Sequence, residues 1–332
     1  MSTLFPLGRR GVVRWHRPML VVAVVMAVLA AASVAGLLVD HRVLLGAPIW
    51  LKPFKFALSN AIYAATWAWL FSLLKKNRRL ANSTTTVLVA VMYIEFVLIL
   101  IQVVRGRPSH FNFSTPADSI IYTVMAVSIG VLWTGALILT ILVLRTPIAD
   151  VASRWALRLG VGISLVGISL GALMVTPTAS QLNSTAGGMI GAHSVGTEDG
   201  GPTMPITGWS TTGGDLRIPH FVGMHALQAL PIVLALLILL ATRIPRLRSA
   251  AMRARLVIVA AAGYAGVVAL VTWQAERGQS LIHPDAFTLA GLGALVVAVI
   301  IGAAVSLARP VRSADEGIPS DQGNLPGLRA HQ

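Results

Sequence analysis

The sequence predicts an all-α integral membrane protein, a bundle of about eight transmembrane helices with both termini cytoplasmic. Three observations carry this. Of the 332 residues, 55% are hydrophobic and only 11% charged, with mean hydropathy +0.77, a composition too apolar for a soluble domain of this length. Eight apolar stretches meet or approach the roughly 20 residues that cross a hydrocarbon core as a helix. Basic residues alternate between the connections, rich on one side and sparse on the other.

Taken in order, residues 1–18 form a basic N-terminus with Arg9, Arg10, Arg14 and Arg17. Span 19–39 follows. Ala30, Ala31 and Ala32 imitate a cleavage site, but the apolar run is longer than the 7–15 residues of a secretory h-region, so it reads as a retained span. The second span, 56–74, follows Trp50-Leu-Lys-Pro-Phe-Lys-Phe56; the third is 84–104 and the fourth 119–144. In the fifth, 159–175, Gly160, Ser164, Gly167 and Gly171 share one helical face suited to close packing. The sixth, 221–242, contains Pro231 and is expected to kink there. Spans 256–275 and 286–308 complete the 19–308 membrane region, and 309–332 reads as a disordered cytoplasmic tail.

One connection, 176–220, is far longer than an ordinary interhelical link. Its many glycines fit a flexible spacer, while His193, Glu198, Asp199, Trp209, Asp215 and Arg217 fit an ordered lid, the favoured reading.

The net charge of +14 is a topology signal and gives no reason to expect nucleic acid. With the N-terminus inside, nineteen of the twenty-six Lys and Arg fall in cytoplasmic segments. The expected location is the plasma (inner) membrane, with membrane lipids as partners. The same threading puts His41, His110, His193, His220, His225 and His283 towards one side, giving a histidine-rich outer face. The chain has no cysteine, which excludes iron–sulfur ligation and c-type haem attachment. Haem or a divalent metal would have to be held through His, carboxylate, Met or Tyr.

Only Glu95 and His225 are ionisable inside the eight stretches. A carboxylate at mid-bilayer costs roughly 2.5–3.5 kcal/mol, so Glu95 should face the bundle interior with a partner or a proton. Gln102 and Arg105 lie on approximately its face, which leads out to Arg107 and His110; a single interhelical hydrogen bond would explain Glu95 as well. Lys55, Ser59 and Tyr63 step by four down the second span, whereas Lys52 reads as a snorkelling interface residue. His225 and Gln228 follow Arg217 and His220, and counting 1.5 Å per residue brings Gln228, Glu95 and Tyr63 to one depth. The ligand-binding candidates are therefore Lys55, Tyr63, Glu95, Gln102, Arg105, Arg107, His110, Arg217 and Gln228. Glu95, His110 and His225 are candidates for acid–base chemistry, and His193, His220 and His225 for a metal.

The blocks Arg105-Gly-Arg-Pro-Ser-His-Phe-Asn112, Gly191-Ala-His-Ser-Val-Gly196 and Gly208-Trp-Ser-Thr-Thr-Gly-Gly-Asp215, followed by His220 through Gln228, resemble those of uncharacterised bacterial multi-pass membrane proteins, over most of the membrane region. That resemblance implies a polytopic fold and no particular reaction. Membrane lipid phosphatases are set aside because Arg107-Pro-Ser-His110 merges fragments of their motifs and lacks the rest. Haem A synthases are set aside because their paired helical histidines have no match.

The expected function is an extracytoplasmic His/Arg/Glu pocket binding a small ligand or cofactor, with a metal- or haem-type redox or assembly role ranked first. A transporter of a small anion with Glu95 as its proton-coupling group is the first alternative. An outer-leaflet lipid-modifying enzyme and a subunit that scaffolds a membrane complex are the others.

Overall fold

The computed structural model describes residues 15–182 and 188–310, so the basic N-terminus up to residue 14 and the tail from residue 311 lie outside the described residues. The chain is predominantly helical. α1 (Arg17–Val39), α2 (Leu51–Leu73), α3 (Arg78–Arg105), α4 (Pro116–Leu144) and α5 (Val151–Leu170, extended by a 3₁₀ turn to Val175) come first. The short α6 (Ala179–Leu182), then α7 (Arg217–Met224), α8 (Ala226–Leu240), α9 (Ala250–Glu276) and α10 (Ala286–Ala308) follow. Among the described residues seven helices are long and apolar enough to cross a membrane, and the bent pair α7–α8, counted as one span, would make eight. Such a set suggests a multi-pass membrane protein.

Four of the helices begin where a side chain caps them. Thr115, Asp150, Ser249 and Asp285 each accept a hydrogen bond from the backbone N–H three residues on, satisfying donors a new helix leaves open. α1 lies along α2, α3 along α4, and α5 packs on α4, α7, α8 and α9, with α10 on the far side of α9. Small side chains make these contacts: Ala57, Ala61, Ala64 and Ala68 of α2 are buried, while Val21, Val24 and Val28 of α1 and Phe287 and Ile300 of α10 point outward. Apolar surface outside and small residues between helices is the pattern that a lipid solvent selects.

Helix bounds depart from the apolar runs in two informative places. α2 starts at Leu51, not 56, so Lys52 and Lys55 belong to its first turns. Trp50 fixes that start: its ring lies against Gly36, where any Cβ would overlap it, and its indole N–H donates to Asp40 at 2.8 Å. The sixth span bends by 46° at His225, and Pro231 sits within α8. Tertiary contacts decide this. Gly167 and Gly223 touch backbone to backbone, and the carbonyls beside the break accept hydrogen bonds from other helices, Met224 from Ser164 Oγ at 2.8 Å and Val222 from Tyr264 OH at 2.5 Å. A break with its backbone groups re-satisfied is tolerable at membrane depth.

Four connections gather on one face. β1 (Val43–Leu44) and β2 (Ala47–Pro48) form a hairpin between α1 and α2 whose tip, Gly46, meets the backbone of Gly200. In the long connection β3 (Ser194–Val195) pairs with β4 (Gly214–Asp215). Met189 bridges to Asn112 of the α3–α4 link, and Gly214 approaches the carbonyl of Ala275 at the end of α9 so closely that no side chain fits between. The described part of the connection is thus a folded lid.

Candidate functional site

A cavity of about 140 Å³ lies under the lid, between the first turns of α2, the end of α3 with its link to α4, and the start of α7. It is smaller than the roughly 300–1,000 Å³ of drug-sized sites, so it suits a head group of few heavy atoms. Leu44, Leu45, Pro48 and Ile49 supply apolar lining, and the rest includes four basic side chains together with the carboxylates Glu198 and Asp199.

Lys52, Lys55, Arg107 and Arg217 all line it. Lys52 Nζ is 3.0 Å from His110 Nδ1, and Lys55 Nζ donates to the Thr207 carbonyl at 2.6 Å. Neither lysine has a carboxylate ion-pair partner among the described residues. Arg217 is held in a fork by Asp215, with Nε at 2.8 Å and Nη2 at 2.5 Å, and donates again to Gly208 O. Asp215 is fully buried and also accepts from the Ser210 and Arg217 N–H groups, so this guanidinium is fixed on the scaffold.

Two imidazoles share the cavity. Asp199 accepts from His193 Nδ1 at 2.9 Å and from the backbone N–H groups of His193 and Ser194. Burial alone would raise the Asp199 carboxyl, but these hydrogen bonds and His193 outweigh it and hold the group well below the usual carboxylate range. His110 Nδ1 meets Lys52 Nζ and Ser109 Oγ, each at 3.0 Å. Burial holds the His110 imidazole well below 6.5, helped by the charges of Lys52 and His193. His193 is also depressed, by burial first and then Arg217 and Lys52, against the opposing pull of Asp199. Both rings are neutral at neutral pH. Phe111 packs edge-on to each, 6.0 Å from His110 and 5.0 Å from His193 between centroids. Its φ of +61° is a conformation bulky residues rarely adopt.

The other candidates have partners of their own or lie off the cavity. Gln102 lines the cavity, but its amide donates to Asp118 Oδ1 at 3.0 Å, where Arg105 Nη1 also arrives at 2.7 Å. Arg107 Nη1 lies 3.7 Å from the second oxygen of Asp118. Asp118, fully buried in the first turn of α4, therefore gathers the residues read from the sequence as a ligand face. Glu95 is buried deeper in α3, away from the cavity lining, and its Oε1 has no hydrogen-bond partner among the described residues. No hydrogen bond among the described residues joins Glu95, Tyr63 and Gln228: Gln228 bonds Thr66 Oγ1 at 2.9 Å and His225 Nδ1 at 3.2 Å. Tyr63 instead borders a second void of about 10 Å³ with Trp67 and Ser164.

Nor are His193, His220 and His225 brought together. His220 Nδ1 bonds the Gly167 carbonyl at 2.9 Å, against α5, and among the described residues no three His, Asp or Glu side chains are arranged to hold a metal ion. His41 and His283 are exposed. Sequence reading passed over Asp118, gave Lys52 to the interface, and noted Asp199 and Asp215 only as loop chemistry. The one advance signal for Asp118 was its place in a Thr-Pro-Ala-Asp helix start beside the Arg105–Arg107 block.

The described helices have membrane-spanning proportions, and a small, partly polar cavity lies beneath the folded connection. Comparison with protein-family models, curated proteins and solved structures finds no match, so the resemblance to bacterial multi-pass proteins brings no family to the chain.

Proposed function

We propose that this is a multi-pass plasma-membrane protein whose extracytoplasmic cavity binds a small anionic ligand. The observation that carries the reading is the entry of Lys52 and Lys55 into one small cavity without carboxylate partners, beside Arg107 and the pre-set fork of Arg217. Glu198 and Asp199 line the same cavity, but neither forms an ion pair with the two lysines, and an anion bound there would supply that pairing. Nineteen of twenty-six basic residues fall on the opposite side in the sequence threading, which supports placing the lid outside the cell. We rank the anion reading above a metal site because no three His, Asp or Glu side chains among the described residues are grouped to hold an ion.

Calorimetric titration of the purified full chain with inorganic phosphate tests this. Binding should weaken at least tenfold in Lys52→Met and again in Arg217→Gln. Absence of binding by phosphate, sulfate and glycerol phosphate alike would remove the reading.

A second reading, proton-coupled transport of the anion, has one observation in its favour: the unpartnered Oε1 of buried Glu95. Glu95→Gln should then abolish the pH-gradient dependence of phosphate uptake into proteoliposomes. Unchanged coupling would end it.

A further inference from the structure

The two cavity imidazoles are held in opposite tautomers by their partners. An ionised carboxylate only accepts, so Asp199 requires the proton of His193 on Nδ1; Nε2 is then a lone-pair acceptor. In its ammonium form Lys52 only donates, so His110 Nδ1 then accepts, with the Ser109 hydroxyl able to donate to the same atom. The Nε2 of His110 therefore carries its proton. The hydrogen bonds of both rings run through Nδ1, which leaves each Nε2 for a ligand, and both residues line the cavity.

Resting on the anion reading above, we infer that this cavity hydrolyses a phosphate monoester, with His193 as general base and His110 as general acid. The phosphate oxygens are held by Lys55 and Arg217. His193 Nε2 takes a proton from water as the water oxygen forms its bond to phosphorus. The bond from phosphorus to the ester oxygen breaks, and that oxygen receives the Nε2 proton of His110. The Lys52 ammonium passes a proton to His110 Nδ1 in the same step, so no imidazolate forms. Products are an alcohol and inorganic phosphate, and exchange with solvent returns one proton to Lys52 and removes one from His193. Asp199 is a positioning residue that fixes the His193 tautomer and ring. The apolar lining from Leu44, Leu45 and Pro48 accommodates the alcohol portion.

The purified full chain is assayed for phosphate release from p-nitrophenyl phosphate, a soluble ester, and from dioctanoyl phosphatidate in micelles, a lipid one. Turnover of either supports the inference, and the preferred ester identifies the source. His193→Gln should lower kcat on both by 10²-fold or more, and Asp199→Asn should lower kcat with KM held. His110→Gln should lower the rate strongly on the phosphatidate and far less on p-nitrophenyl phosphate, whose leaving group needs no proton. A purely structural role would not produce that split. Phosphate titration of each variant reports whether the fold and pocket persist. Phosphate binding without turnover of either ester overturns the inference and leaves the anion reading standing; loss of phosphate binding by the native chain overturns both. Equal losses on the two esters in His110→Gln overturn the general-acid assignment.

Discussion

At the scale of single residues, Asp118 shows how a structural charge can imitate a binding site. Gln102, Arg105 and Arg107 converge as though on a ligand, yet the anion they meet belongs to the chain. Breaking a buried pair costs about 3–5 kcal/mol, and the partial exposure of both arginines puts this case at the lower end. Asp118→Asn should therefore destabilise by about 3 kcal/mol in a denaturation series without abolishing phosphate binding. The cavity histidines give a pH dependence of definite sign. Their folded affinities for protons lie below the ordinary 6.5, through burial first and then the charges of Lys52 and Arg217, so the unfolded chain binds protons the folded one refuses. Their contribution is complete above about 6.5 and is lost as pH falls towards the depressed folded values. Thermal unfolding should show a falling midpoint between pH 7 and 5, flattened in the His110→Gln/His193→Gln double variant.

At the scale of elements, the face of α5 carrying Gly160, Ser164, Gly167 and Gly171 was legible as a packing stripe; its partner was not. The stripe seats α7 and α8, with Gly167 against Gly223 and Gly171 under the His220 ring. Gly162, on the same helix, meets nothing within 4 Å of a Cβ. Gly167→Val should cost about 1–3 kcal/mol or more through overpacking, whereas Gly162→Ala should be neutral or stabilise by about 0.5–1 kcal/mol. Equal melting temperatures for the two would contradict the contact. The bend at His225 was unreadable for a related reason. Pro231 announces a weak point in its own helix, but the break is settled by Ser164 and Tyr264, which approach from α5 and α9.

At the scale of the whole molecule, spans were visible because a bilayer demands long apolar runs, and every one of the eight stretches contains or overlaps a helix. Their ends were less visible, since caps and tertiary contacts set them: the Trp50–Gly36 contact moved Lys52 onto α2 and so into the cavity. The pocket was legible in its ingredients, Lys55, Arg107, His110 and Arg217, because polar groups near span ends are rare. Its assembly depends on pairings across 58 and 152 positions, which no local pattern encodes. A chain without cysteine lends itself to a direct test of orientation. In intact cells a membrane-impermeant maleimide should label His283→Cys, and should label Lys76→Cys only after permeabilisation. The reverse pattern would place the lid in the cytoplasm.

The lid is fastened to the α3–α4 link through Met189 and to the end of α9 through Gly214, while the hairpin tip abuts it at Gly200. Its conformational entropy is therefore surrendered when the chain folds, and an arriving ligand has little left to immobilise. Association with such a preorganised chamber should be fast and leave amide-exchange protection of the lid nearly unchanged, so that affinity reflects the ligand's desolvation and charge.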